Sequence, residues 1–224
     1  MNKITLAMKK KITSDWASCL PGFSAFAPMR LGRLVGPLLQ GVCLDRDPSN
    51  SAYLPTLHTH NLCKPFPVIA LDLGQPLLAD GGRGVERISI VNHSEKYVAA
   101  AKKLVASSYL PTSGGISVRL LESVVDLYQK SGRPDASYPI SLLEDVVMCY
   151  AWLGLRDDAV TLCDKYVGST KKWPEHVFFR DGGRESWTGK LLSYANSGEQ
   201  LRKTSADQMV FHKLQMLPVS DLTP

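Results

Sequence analysis

A chain of 224 residues that is 44% hydrophobic and 21% charged has enough apolar side chains for a sizeable core, which excludes a disordered or low-complexity polymer. Its apolar runs, such as residues 68–71 and 146–150, fall far short of the roughly 18 to 20 residues a membrane span needs, so no membrane partner is expected. The net charge of +5 is weighted to the front, with ten Lys/Arg against six Asp/Glu before residue 94. A nucleic-acid footprint clusters more cations and interleaves aromatics, whereas Trp16 alone lies near Lys9-Lys10-Lys11. Nucleic acid is therefore not the expected partner.

Only five uncharged residues separate Lys3 from Lys9, too few for a signal-peptide core of about 7 to 15, and the expected address is cytoplasmic. Residues 3–19 predict an amphipathic helix with Met8, Ile12, Trp16 and Cys19 on one side, ended by Pro21-Gly22. Short apolar segments broken by Gly and Pro then predict strands over 34–44, 53–62, 68–73 and 86–91. Their turn-rich separators favour an antiparallel meander over βαβ crossovers. Pro37 and Pro55 mark the first two strands as edges or as sites of bulges.

After Asn92 the period becomes helical. Helices are predicted from Ser94 to about residue 107 and from about 117 to 130, the latter stopped by Gly132 and Pro134. Ser141 and Glu144 have the spacing of a capping box, opening a helical hairpin over 141–168 that turns at Leu153-Gly154. Leu143, Val146, Val147, Tyr150 and Leu153 form one apolar stripe, and Ala159, Leu162, Cys163 and Tyr166 a second. Further helices are predicted near 185–196 and 206–216, and residues 218–224 read as a tail. The fold class is thus α+β, a small antiparallel sheet in the N-terminal half packed against a mainly helical C-terminal half. The strand-rich region over 1–93 and the helical region over 94–224 are expected to form one compact unit.

Five cysteines, an odd number without Cys-x-x-Cys spacing, read as reduced thiols that behave as small hydrophobes. No Gly-x-Ser-x-Gly elbow, phosphate-binding loop, dinucleotide fingerprint or His-Glu-x-x-His helix is present, so no catalytic residue and no cofactor is assigned. Asp-Gly-Gly-Arg occurs at 80–83 and 181–184, and turn chemistry accounts for it. Aromatic and basic residues do concentrate after the hairpin: Lys171, Lys172, Trp173, Phe178, Phe179, Arg180, Arg184 and Trp187. That mixture is what binding hot spots use, and these residues are the candidate contacts for a protein partner.

The one metal-like pattern is His58 and His60, which strand parity places on the same face. Cys63, Asp72 and His93 are possible further ligands. The segment resembles the His-x-His opening of PHP-class phosphoesterases and of amidohydrolases, which implies as an alternative a metal-dependent hydrolase holding its ion on His58 and His60. The succession of βα units those folds use is not predicted here, and Cys63-Lys64-Pro65 follows where a Ser-Asp-Gly-type sequence is usual.

Tyr150, Leu153, Gly154 and Ala159 resemble the middle of a tetratricopeptide repeat, where small residues let paired helices approach. No second copy occurs at the 34-residue period of such arrays. As a whole, a lone Leu-Gly-Leu hairpin with no catalytic signature resembles bacterial immunity proteins, which neutralise secreted toxins. That resemblance implies a non-catalytic protein-binding module that blocks a toxin by stoichiometric binding. A net charge of +5 departs from the acidic, phosphate-imitating inhibitors of nucleases.

Overall fold

A computed structural model describes residues 4–82, 84–131 and 136–224. The fold is α+β, with antiparallel strands in the N-terminal half and mostly helices in the C-terminal half. The chain divides into two compact units. One comprises Met1–His60, Pro67–Gly115 and Met209–Asp221, the other Asn61–Phe66, Ile116–Gln208 and Leu222–Pro224. Among the described residues no helix is long and apolar enough to cross a membrane.

The first unit opens with helix α1 (Leu6–Cys19), capped by the Thr5 side chain accepting from the Met8 amide. Strands β1 (Ser24–Ala27), β2 (Arg30–Val35), β3 (Leu38–Arg46), β4 (Ala52–Asn61) and β5 (Asp72–Pro76) then lie side by side in that order. The two-residue β6 (Ile88–Ser89) also pairs with β4. Helix α2 (His93–Ala106), beyond the expected boundary at residue 93, belongs to this unit. Ile12 and Trp16 of α1, and Ala100, Ala101 and Leu104 of α2, join Leu31, Val42, Leu44, Tyr53 and Leu57 of the sheet in one buried core.

Three strand expectations need correction here. The segment 34–44 is not a single strand but spans a hairpin: Val35 pairs with Leu38 across Gly36-Pro37, and Gly36 has φ +54°, as a tight two-residue hairpin turn requires. Strand β5 begins at Asp72, and Val68 and Leu71 are exposed, because that apolar run lacks the alternation that buries one face. Residues 218–224 are not a tail. Val219 and Ser220 form β8, parallel to β2, and Leu222 and Thr223 form β9, parallel to β7 (Ile116–Ser117) in the second unit. Pro55 lies within β4, in the gap between the residues paired with β6 and those paired with β5, and its carbonyl accepts from Leu77. A missing N–H costs no ladder bond on that side.

The second unit is helical. It contains α3 (Val118–Gln129), α4 (Ile140–Trp152), α5 (Arg156–Thr170), a 3-10 turn (Glu175–Asp181), α6 (Arg184–Ala195) and α7 (Gly198–Phe211) as far as Gln208. Ser117 caps α3 through the Leu120 amide. Helix α7 starts well before the expected residue 206. The α4–α5 turn is a Schellman closure: the Gly154 amide donates to the Ala151 carbonyl and the Leu155 amide to that of Tyr150, with Gly154 at φ +84°. A Cβ on Gly154 would meet no heavy atom within 4 Å. Its requirement is therefore conformational rather than one of close helix approach. Gly198 is the close-approach residue, where a Cβ would run into the Ala151 carbonyl. Gly132 and Pro134 lie outside the described residues.

Candidate functional site

In the second unit the aromatic-basic stretch is a turn whose parts have separated into anchor and surface. Pro174 starts the 3-10 turn, and Gly182 at φ +81° and Gly183 at φ +101° end it, conformations that favour glycine. Phe178 points inward and is fully buried, its ring 6.3 Å from Trp173 and 5.3 Å from the equally buried Trp187. The Arg184 guanidinium carbon lies 4.3 Å from the Phe178 ring centroid. Arg184 also donates to the carbonyls of Thr170 (2.7 Å) and Trp173 (2.8 Å) and to Glu175 (2.8 Å). Of the eight expected contact residues, Phe178 and Trp187 belong to the core and Arg184 is committed to holding the turn. Trp173 is half-buried, with Tyr138 edge-on at 5.2 Å. Phe179 is 74% exposed, and Lys171, Lys172 and Arg180 are exposed as well.

Beneath this turn is a chain of alternating charges that the sequence did not announce. Lys190 Nζ lies 2.6 Å from Asp181 and 2.9 Å from Glu144. Glu144 is 3.1 Å from Lys64 Nζ, which is 2.9 Å from Asp145 and also donates to Ser141 Oγ at 3.1 Å. Asn61 Nδ2 donates to Asp145 at 3.2 Å. Burial pushes the Asp145 carboxyl up, with Lys64 opposing. Burial alone would lower Lys64, but Asp145 and Glu144 outweigh it and hold the ammonium above the ordinary lysine value. The capping-box expectation is corrected by this cluster: Ser141 and Glu144 grip lysines, and α4 begins one residue earlier behind Pro139 with no side-chain cap.

In the first unit His58 and His60 are both buried on β4. Among the described residues neither ring nitrogen of His58 has a hydrogen-bond partner, and its ring fills the space above Gly41, where any Cβ would collide with it. Burial lowers His58 to about 4. His60 Nδ1 accepts from the Ala70 amide at 3.1 Å, and its ring meets that of His212 edge-on at 5.6 Å. Among the described residues no group of three or more His, Cys, Asp or Glu is arranged to hold a metal ion. His93, a possible third ligand, is engaged elsewhere: Nδ1 is 2.7 Å from Tyr53 Oη and Nε2 is 2.9 Å from Asp15. Trp16 Nε1 donates to the same Tyr53 oxygen at 3.0 Å. This Asp15–His93–Tyr53 relay has the order of a catalytic triad, yet Tyr53 is fully buried, so its role is to tie α1 and α2 to β4. No local motif marks it, because its members are scattered between residues 15 and 93.

The thiols are equally withdrawn. All five cysteines are unpaired, and all but Cys19 are buried. Burial pushes Cys43 up to about 12 and Cys163 up to about 11, and raises Cys63 and Cys149 as well. They are protonated at neutral pH and poor nucleophiles.

Compared with protein-family models, with curated proteins and with solved structures, the chain matches none.

Proposed function

We propose that this protein is a non-catalytic protein-binding module, an immunity-type inhibitor that blocks a bacterial toxin by stoichiometric binding. The observation that carries the reading is Phe179, 74% exposed at the crest of a turn whose neighbouring Phe178 is fully buried. Binding pays for ordering the surfaces that meet, and here Arg184, Phe178 and the glycine-ended turn hold the backbone that carries Phe179. Arg180 follows it directly in the chain, and Lys171 and Lys172 are exposed in the same aromatic-basic stretch. The fitting partner surface is accordingly an apolar socket with an acidic rim.

Affinity purification of the tagged chain from its native cell tests this. One dominant protein is expected at near-equal stoichiometry, and Phe179→Ala together with Arg180→Glu should abolish its recovery while leaving the circular dichroism spectrum unchanged. Recovery of no partner from the wild-type chain, or of the same partner in equal amount with the double variant, would count against the assignment.

A further inference from the structure

The first unit carries a shallow cleft of about 460 Å³ beside the N-terminal helix, separate from everything assigned above. Its polar side is Lys9 of α1, Arg30 at the start of β2, and Asp45 and Arg46 at the end of β3. Strand register explains why Arg30 and Asp45 meet: Arg30 pairs with Cys43, so Asp45 follows two residues on along the same face, past the point where β2 begins. The floor is Met29 and Leu44, both buried, and the rim includes Leu6 and Pro28.

That floor is fixed in place. Met29 adopts φ +68°, a conformation costly for a side chain with a Cβ. It is held there because its amide hydrogen-bonds Thr13 Oγ1 at 2.8 Å and its carbonyl accepts from Leu44 at 3.0 Å. Arg30 Nη1 donates to the same carbonyl at 3.1 Å, while Nη2 meets Asp45 at 2.8 Å. Arg46, on the exposed side, donates to Asn50 at 3.0 Å.

Three cations and one carboxylate thus face a common space, leaving two positive charges to be matched. Guanidinium forks fit phosphate and carboxylate oxygens, and a phosphate monoester supplies the two negative charges in one group. The lining contains no aromatic ring, so a nucleobase would find no stacking platform, whereas an alkyl chain would find exposed Leu6 and Pro28. The volume lies within the roughly 300 to 1,000 Å³ that small-ligand sites occupy. We propose that this cleft binds a small aliphatic phosphate monoester, its head on Arg30, Arg46 and Lys9 and its chain along Leu6 and Pro28. In this arrangement Asp45 is a resident carboxylate that the phosphate replaces at Arg30.

Calorimetric titration of the full chain with hexyl phosphate at low ionic strength tests the site. One equivalent is expected to bind, with Lys9→Ser and Arg46→Ser each weakening it at least about fivefold, as loss of a charge-assisted contact would. Asp45→Asn should tighten binding by removing both the competitor and the repulsion. Inorganic phosphate should bind at least about tenfold more weakly, since it buries no methylene. Arg30 is left unchanged because it also supports the Met29 carbonyl. The proposal is overturned by absence of hexyl phosphate binding, by affinity indifferent to the Lys9, Arg46 and Asp45 substitutions, or by equal affinity for inorganic phosphate. It is overturned equally by binding to phosphatidic acid vesicles without binding to soluble hexyl phosphate, which would mark a membrane surface, or by tighter binding of a single-stranded oligonucleotide.

Discussion

Lys64 Nζ lies 2.9 Å from Asp145 Oδ1 and reaches Glu144 on its other side, so one lysine neutralises two neighbouring carboxylates that are almost fully withdrawn from water. Removing one partner of a buried pair is costlier than never having built it, because the remaining charge stays behind without compensation. Lys64→Met should therefore cost about 3 to 5 kcal/mol in urea unfolding. The sign with pH is defined. Burial already raises the Asp145 carboxyl above its unfolded value, and loss of Lys64 raises it further. The protonated form is then the one the fold prefers. The penalty should be largest above the raised folded value and shrink as pH falls through it toward the ordinary aspartate range, below which it stays constant.

His58 makes the opposite prediction for acid. Its folded value near 4 lies below the ordinary 6.5, so the fold favours neutral imidazole. That contribution is complete above about pH 6.5 and is lost as pH falls toward 4, on the order of 3 kcal/mol for a shift of this size. Because neither nitrogen has a hydrogen-bond partner among the described residues, His58→Leu should be neutral or stabilising at pH 7 and should flatten the acid limb. Gly41→Ala should destabilise by about 1 to 3 kcal/mol through overpacking, and His58→Ala in the same chain should recover much of that loss. Denaturant midpoints across pH for the four chains check the set.

Two helix ends share one closure with different residues. Gly154 and Lys213 both have positive φ, at +84° and +58°, and in each case the amides of that residue and the next bond back as a Schellman motif. Gly154→Ala should cost about 1 to 2 kcal/mol although a methyl would touch nothing, the penalty being purely conformational. Lys213→Gly should raise stability by up to about 1 kcal/mol for the same reason. Thermal unfolding of both variants, shifting in opposite directions, is the expected result.

Phe178 and Phe179 are adjacent and opposite in role. Phe178→Ala should cost about 3 to 5 kcal/mol by emptying the space between Trp173, Trp187 and Arg184, whereas Phe179→Ala should leave stability within about 0.5 kcal/mol of wild type. Equal stability losses from the two substitutions would show that the turn does not divide anchor from surface.

How far the sequence carried each of these features depends on the range of the interaction responsible. Helices α1, α2 and α3 were legible because a 3.6-residue apolar stripe is written within a few residues of its cause, although no side chain caps α2. The hairpin at Leu153-Gly154 was legible for the same reason, although the need at Gly154 proved to be positive φ rather than close packing. Strands β8 and β9 were not legible, because two-residue strands carry no period and exist only through their partners, β2 and β7.

The candidate site divides along the same line. Composition alone concentrated aromatics and cations between residues 171 and 187, but only packing decided that Phe178 and Trp187 face inward, that Arg184 is spent on carbonyls and that Phe179 is left outside. Ser141 and Glu144 had capping-box spacing, and a lysine some eighty residues earlier in the chain claimed both. By itself the sequence determined fold class and the positions of most helices, since hydrophobic periodicity acts over a few residues. Tertiary structure alone decided which charges are paired, which histidine is stranded and which aromatic is exposed, since burial and pairing depend on residues that the chain brings together from far apart.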